Sequence, residues 1–501
     1  MENLMYLKSG TDIRGAAIEK DGKPVDLTDE RLESIVNSLV VFLKSKLNKE
    51  ALTIAVGYDS RVSSPRIFKT VTKTLLLLGI KAYDCGLAST PSMFMSIINF
   101  DLDASIEITA SHLPMEMNGL KFFTRQGGFS GGDIKAILQY AQENTYVAGE
   151  VDKEPESLCS MAKYCENLCE MIKKGVNATN YDLPLENLKI VVDAGNGVGA
   201  FYAYNVLKVL GADIEGSRFL EPDGTFPNHI PNPENKQAME SICHAVRESG
   251  ADLGVIFDTD CDRAACVDKN AQEINRNKLV ALASYIALKN AKGGVVVTDS
   301  VTSDGLNEFI EKDLGGVHHR FKRGYKNVID EAIRLEKEEN KKAPLAIETS
   351  GHAAFSENYY LDDGAYLITK IIIEAARLSE EGKSIENVIE SLKTPVEEKE
   401  IRFKINLSDF RDYGNMVIND LKELAEKTDF TTIAPSNYEG IRFNFDEANG
   451  NGWLLLRMSV HEPLLVLNCE SEEAGGVEKM LEFFEAFITQ YDKLDLSKLV
   501  N

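Results

Sequence analysis

Residues 53–86 read TIAVGYDSRVSSPRIFKTVTKTLLLLGIKAYDCG, and their pattern decides the fold class. The apolar, β-branched run TIAVGYD (53–59) predicts a buried strand and the polar stretch after it a loop. PRIFKTVTKTLLLLG then predicts a helix, and IKAYDCG a second strand. The helix closes on Leu78-Gly79, where glycine takes the left-handed conformation of a C-cap without strain. The same unit recurs twice. KIVVDAG (189–195), NGVG, AFYAYNVLKVLG and ADIEG form one copy; GVVVTDS (294–300), VTSD, GLNEFIEKDLG and GVHHRF form the other. Their helices also end in Leu-Gly, at 210–211 and 314–315. Strand starts at 53, 189 and 294 are 136 and 105 residues apart, each the span of a small domain, so three similar α/β domains are expected. The C-terminal part differs. EIRFKINL, a helix through MVINDLKELAEK, GIRFNF, GWLLLRMS, PLLVLNCE and a helix through VEKMLEFFEAFITQ predict a separate α+β domain of order β-α-β-β-β-α. GEVDKEPES (149–157) and TPVEEKE (394–400) read as linkers, and the charged run 337–342 as an exposed helix end.

The chain has 501 residues, enough for roughly three to four domains. Its 44% hydrophobic and 27% charged residues are globular composition. A net charge of −24 repels DNA, RNA and anionic lipid, so neither nucleic acid nor membrane is an expected partner. An anionic ligand would need a local cluster of Lys and Arg. No apolar run is long enough to cross a membrane, and MENLMYLKSGTDIRG (1–15) lacks the apolar core of a signal peptide, so a cytoplasmic protein is expected. The eight cysteines include no CxxC pair; Cys165 and Cys169 are i, i+4 on a predicted helix, but buried thiols in a reducing compartment are the better reading than a metal site.

Four loops carry residues suited to chemistry. The first is Thr109-Ala110-Ser111-His112, after the apolar run ASIEI. A serine-hydrolase elbow needs glycine at 109 and 113, where this chain has Thr109 and Leu113. The second is FDTDCDR, with Asp258, Asp260 and Asp262 at alternate positions after the strand ADLGVIF. Three such close charges repel unless a cation sits among them, and carboxylate oxygens suit Mg²⁺, Ca²⁺ or Mn²⁺. An EF-hand is excluded because its glycine and glutamate positions hold Arg263 and Lys269. A D-x-D-x-[TV] phosphatase motif fits poorly with Asp262 in its last place. The third loop is IETSGHAAF (347–355), in which Glu348, Ser350 and His352 alternate; a carboxylate and a hydroxyl there suit vicinal sugar hydroxyls. The fourth is LRMSVHEP, where Arg457, Ser459 and His461 face one side if the segment is extended and together make a phosphate grip. Gly195-x-Gly197-x-x-Ala200 also satisfies a loose dinucleotide fingerprint, with Asp213 and Glu215 downstream, but the other copies of the repeat carry no such glycines, which favours a tight strand-to-helix turn.

In this order the loops resemble the α-D-phosphohexomutase superfamily, which includes phosphomannomutases and phosphoglucomutases. SGTDIRG (9–15), GYDSRVSSP (57–65), TASHLPMEMNGLKFF (109–123), DTDCDR (258–263), ETSGH (348–352) and RMSVHEP (457–463) carry the likeness. The resemblance implies an α/β protein of three similar domains with mixed sheets plus a C-terminal α+β domain around a central cleft. The expected boundaries are 1–152 with a phosphoserine loop, 153–272 with a metal loop, 273–394 with a sugar loop and 395–501 with a phosphate loop. The family's serine loop usually reads TASHNP and its phosphate loop R-x-S-G-T-E-P. Here Leu113 replaces the asparagine, and Val460 and His461 replace glycine and threonine, which would make the phosphate grip sensitive to pH.

By that resemblance, Ser111 carries a phosphoryl group, and Asp258, Asp260 and Asp262 hold one Mg²⁺ per chain with a phosphoserine oxygen. Arg14, Lys121 and Arg263 are the cations expected to stabilise transferring oxygens, and His112 the group expected to assist proton transfer or orient a base. A hexose monophosphate would become a sugar 1,6-bisphosphate, which acts as intermediate and activator, turn over and return its other phosphate to Ser111. Glu348, Ser350 and His352 would hold the sugar, Arg457, Ser459 and His461 the distal phosphate, while Lys322 and Lys326 add positive potential. Closure of the terminal domain would exclude water. The expected partners are small-molecule hexose phosphates, and the expected assembly a monomer or homodimer. Phosphoglucosamine mutase on the same scaffold is the closest alternative; a Mg²⁺-dependent phosphatase using Asp258 as nucleophile and a non-catalytic relative stand further off.

Overall fold

The computed structural model describes residues 3–459 and 462–499. The chain separates into two compact units, Met1–Leu279 with Ser350–Asn387 and Val280–Thr349 with Val388–Asn501.

In the first unit, one sheet runs in the order Lys8–Ser9, Asp12–Ala16, Met117–Thr124, Ala104–Ile108, Thr53–Tyr58, Lys81–Leu87 and Glu156–Ser157. Its centre is parallel, with Thr53–Tyr58 between Ala104–Ile108 and Lys81–Leu87, and Met117–Thr124 adds antiparallel. Ile54, Val56, Ile106 and Ile108 from the sheet meet Ile35, Leu39, Ile67, Val71 and Leu75 from the helices Asp29–Leu47 and Ser64–Leu77 in one core. The sheet's last strand corrects the linker expected at 149–157, because Glu156 and Ser157 pair with Tyr83 and Asp84. An exposed strand edge pairs through its backbone whatever the side chains are.

The second sheet holds Ile190–Asp193 parallel to Leu253–Phe257, which then turns back antiparallel into Ala264–Asp268. DTDCDR is therefore the turn of a β-hairpin. The strand expected at ADIEG is absent as a strand: Lys189–Asp213 and Asp193–Arg218 form isolated parallel bridges. The Asp213 side chain accepts from the backbone of Glu215 at 2.9 Å, and Gly216 turns to φ 104°, so local turn bonding interrupts the extended course. The second-copy helix contains a π-helical turn at Tyr202–Leu207, and in the second unit Asp304–Glu308 passes into a π turn at Phe309–Asp313. The Leu-Gly closures are as expected, with Gly79, Gly211 and Gly315 at φ 75°, 94° and 64°.

In the second unit, Val295–Thr298 lies parallel to Val317–Arg320 on one side and Leu345–Ile347 on the other, under the helix Tyr325–Glu339. A five-stranded antiparallel sheet follows in the order Glu397–Lys404, Leu464–Ser471, Gly452–Met458, Ile441–Phe445 and Thr431–Ile433. Phe403, Phe443, Leu454 and Leu467 share a core with Val417 and Leu421 of the helix Phe410–Glu426 and with Met480 and Phe484 of Gly476–Ile488. Two expectations change here: the first strand begins inside the stretch read as a linker at 394–400, and the short, half-exposed strand Thr431–Ile433 makes the order β-α-β-β-β-β-α. No helix among the described residues is long and apolar enough to cross a membrane. The whole is three α/β domains followed by an α+β domain with an antiparallel sheet.

Candidate active site

Ser111 follows the buried strand Ala104–Ile108 and adopts φ 51°, an uncommon conformation for a residue with a side chain. Several bonds hold it there. The Ser111 N–H donates to Thr109 Oγ1 at 2.8 Å, and Thr109 Oγ1 donates to Asp59 Oδ2 at 2.7 Å. Asp59 also accepts from Arg61 Nε at 3.1 Å and Ser64 Oγ at 3.1 Å. The fully buried Arg61 guanidinium then donates to the loop carbonyls of Leu113 at 2.7 Å, Pro114 at 2.8 Å and Met117 at 2.9 Å, and to that of Ser111. Sequence reasoning quoted this Asp-x-Arg but assigned it no role. Leu113 offers Arg61 a carbonyl, which any residue there would supply.

The hairpin turn brings its acids to this serine. Ser111 Oγ donates to Asp258 Oδ2 at 2.8 Å and accepts from Arg263 Nη2 at 2.9 Å. Asp258, Asp260 and Asp262 are buried, and one oxygen of each lies within 4.8 Å of the others. Lys121 reaches Asp260 Oδ2 at 2.9 Å and also pairs with Asp262, while Thr90 Oγ1 donates to Asp260 Oδ2 at 2.5 Å. Asp260 Oδ1 and Asp262 Oδ1 are buried without a hydrogen-bond partner among the described residues. Burial, then the charges of Asp262 and Asp260, push the Asp258 carboxyl well above its ordinary range. Burial opposes ionisation of Asp262 too, but Lys121, His352 and Arg263 outweigh it and hold that carboxyl low. An all-oxygen donor set with two orphaned oxygens and excess mutual repulsion fits a hard divalent cation such as Mg²⁺.

Gly197 of the dinucleotide-like stretch packs against this loop. A Cβ on Gly197 would lie 2.6 Å from the Thr259 carbonyl oxygen, and the Val198 N–H donates to that same oxygen at 2.9 Å. Gly197 thus reports the close approach of two backbones.

The remaining predicted residues of the first unit differ in placement. Arg14 pairs with Asp12 at 2.7 Å and reaches the Ala110 carbonyl at 3.5 Å. His112 Nδ1 lies 3.3 Å from Ser111 Oγ and takes a contact from Arg263. Burial, then Arg263 and Arg14, push His112 down to about 2, so the ring stays neutral, with Nδ1 as its acceptor toward Arg263. His352 has the opposite surroundings. Its Nδ1 is 2.5 Å from Asp362 Oδ2 and 4.0 Å from Asp262 Oδ1. Burial lowers its proton affinity, but Asp362 and Asp262 outweigh burial and bring it up to about 9. His352 also bridges antiparallel to Arg263, and Ser350 is buried. Asp362 was missed in the sequence because its partner lies ten residues upstream in an irregular segment.

In the second unit, Glu348 Oε1 accepts from the Gly324 N–H at 2.6 Å. Arg457 closes the strand Gly452–Met458 with its side chain inside, and Ser459 is half-buried. His461 lies outside the described residues. Lys322 is exposed over the Phe321 ring and Lys326 pairs with Asp330, so the cation turned inward from that segment is Arg323, 3.8 Å from Asp299.

Known proteins share this arrangement of sequence. Three family models match in succession: phosphoglucomutase/phosphomannomutase α/β/α domain I over residues 7–148, domain II over 162–272 and domain III over 275–395. A phosphoglucomutase of Neisseria gonorrhoeae is 27% identical over 478 residues, with 95% of each chain covered. Phosphohexose mutases of Xanthomonas campestris pv. campestris are 30% identical over 448 residues, 88% of this chain and 92% of theirs. The crystal structure of a phosphoglucomutase/phosphomannomutase family protein from Burkholderia thailandensis superposes with a TM-score of 0.79 at 24% identity, over 98% of both chains. An N-acetylphosphoglucosamine mutase of Aspergillus fumigatus, solved with GlcNAc-6P and magnesium, shares the fold at a TM-score of 0.54 and 12% identity, over 94% of this chain and 93% of that one. With three successive domain models spanning most of its length, the chain belongs to the phosphoglucomutase/phosphomannomutase family of phosphohexomutases.

Proposed function

We propose that this chain is a Mg²⁺-dependent phosphohexomutase that interconverts the 1- and 6-phosphates of mannose, glucose or both, with Ser111 as the phosphoryl carrier. The observation that carries the reading is the 2.8 Å bond from Ser111 Oγ to Asp258, within a buried trio of carboxylates. Asp258, Asp260 and Asp262 would hold the Mg²⁺, which neutralises charge on the oxygens of a transferring phosphoryl group. Arg263, Lys121 and Arg14 add fixed positive charge around Ser111. The sugar hydroxyl bonds phosphorus as the Oγ–P bond breaks, giving the 1,6-bisphosphate; the reverse transfer from its other end regenerates phosphoserine. Each transfer releases a proton from one oxygen and returns one to another, and the His352–Asp362 pair is the group assigned to hold it. Glu348 and Ser350 are assigned to the sugar hydroxyls, and Arg457, Ser459 and His461 to the distal phosphate. The bisphosphate also serves as activator, since it reloads Ser111. Such a substrate and reduced thiols suit the cytoplasm, and one chain or a homodimer would suffice.

Ser111→Ala should reduce mutase turnover below about a hundredth of the native rate, and intact-mass spectra of the native protein should show one phosphoryl group that substrate removes. Release of free phosphate without isomerisation, or a Ser111→Ala enzyme that still turns over faster than that, would overturn the reading. Comparing kcat/KM on mannose, glucose and glucosamine phosphates assigns the sugar.

A further inference from the structure

The two guanidinium groups near this corner of the second unit, Arg457 and Arg323, do not by themselves offer a phosphate a net positive charge. Arg457 Nη1 lies 4.0 Å from Glu439 Oε1, and Arg323 Nε lies 3.8 Å from Asp299 Oδ2. Two guanidinium groups therefore face two carboxyls. Glu439 is fixed in that role, accepting from Ser300 Oγ at 2.7 Å and from the Arg323 N–H at 3.1 Å. A phosphate dianion entering such a corner meets acids as well as cations, in a protein that already carries −24. Its binding calls for a further cation with no carboxylate partner.

The fourth domain has one. A cavity of about 600 Å³ is lined by Arg411, Asn415, Asn419, Glu439, Gly440 and Ser459, among others. Arg411, Asn415 and Asn419 recur every four residues on the helix Phe410–Glu426 and so form one stripe along the cavity wall. Arg411 forms no ion pair among the described residues; its guanidinium lies 5.4 Å from the Phe410 ring centroid. Gly440, also on the lining, lets two backbones approach closely beside Arg457: at φ 64°, an added Cβ would lie 2.1 Å from the Leu456 carbonyl oxygen and 2.8 Å from the Arg457 Cα. The cavity thus joins the one unmatched guanidinium on its wall to Glu439, the partner of Arg457, and to the Ser459 hydroxyl.

We propose that Arg411 and Asn415 bind the distal phosphate of the phosphosugar opposite Ser459, Arg411 supplying the unmatched charge and Asn415 an amide donor. The inference rests on the mutase reading above. It also adds side-chain donors from a helix to a chain that departs from the family's phosphate loop at Val460 and His461. A grip on the non-reacting phosphate acts equally before and during transfer, so its loss raises KM and leaves kcat.

The test uses the full chain with Mg²⁺, as Arg411→Gln, Arg411→Lys, Asn415→Asp and, as a control just past the far end of that helix, Lys427→Gln. Turnover of glucose 1-phosphate is measured alongside calorimetric binding of glucose 6-phosphate and of inorganic phosphate. Arg411→Gln should raise KM about tenfold with kcat within about twofold, Arg411→Lys should restore most of the loss, and Asn415→Asp should cost more than Arg411→Gln. Lys427→Gln should match the native protein. KM within about twofold of native for both Arg411→Gln and Asn415→Asp overturns the assignment. If the native chain shows no mutase turnover, the functional reading is at fault, and binding decides this one: glucose 6-phosphate affinity weakened by Arg411→Gln upholds it, while unchanged affinity or no binding to the native chain overturns it. Dependence on Arg411 for inorganic phosphate but not for glucose 6-phosphate also overturns it, because the pocket would then hold a free anion.

Discussion

Glu107 projects from the strand Ala104–Ile108 into the interior, and neither carboxyl oxygen has a hydrogen-bond partner among the described residues. Burial, then the charges of Asp59 and Asp260, push its proton affinity well above the ordinary 4.5, so the folded protein keeps it protonated. The unfolded chain ionises it at the ordinary value, so native stability falls as pH rises above 4.5 towards the raised folded value. Glu107→Met should therefore stabilise the protein by about 1–3 kcal/mol in urea unfolding, with the larger gain at pH 9 and the smaller at pH 5. His352 titrates in the other direction. Raised to about 9, it contributes stability that is full below its ordinary 6.5 and is lost as pH rises through 9. If it holds the transferred proton, mutase kcat should fall over that alkaline range, and Asp362→Asn should move the fall to lower pH; an unmoved profile would remove His352 from the reaction. The serine and the three aspartates were each legible as short motifs, and the spacing of the aspartates alone puts those three on one turn. The roles of Asp59, Arg61 and Asp362 were not, because each depends on partners that only the folded chain supplies.

Elements record the same division between local and long-range causes. The three strand–helix units and their Leu-Gly closures follow from periodicity and from glycine's backbone, both local properties. The π turns at Tyr202–Leu207 and Phe309–Asp313 are not encoded in periodicity, and neither is the loss of a strand at ADIEG, which follows side-chain turn bonding at Asp213. Gly197 is a case where a legible motif had an illegible reason. Gly197→Ala would press a methyl group against the Thr259 backbone, at 2.6 Å from the carbonyl oxygen and 2.8 Å from Cα. The metal turn must shift, so Mg²⁺ titration of activity should show an affinity about tenfold weaker, with about 1–3 kcal/mol of stability lost in a thermal or urea melt. An unchanged Mg²⁺ requirement would separate this glycine from the metal site.

At the scale of the whole molecule, a divalent cation held by the three buried carboxylates, in a chain of net charge −24, would be a folding ligand as well as a cofactor. A cation that binds the folded chain alone, at about a hundred times its dissociation constant, adds about 2.7 kcal/mol. Removing Mg²⁺ with a chelator should lower the melting temperature by a few degrees, and Asp260→Asn should abolish most of that difference. A melt indifferent to Mg²⁺ in the native protein would argue against the cluster as its site. The serine loop, meanwhile, has its course dictated from position 61, by a guanidinium that grasps main-chain oxygens and ignores side chains. A change of side chain at Leu113 therefore leaves this grip intact, whereas a change at Arg61, 52 residues earlier in the chain, would release the whole loop.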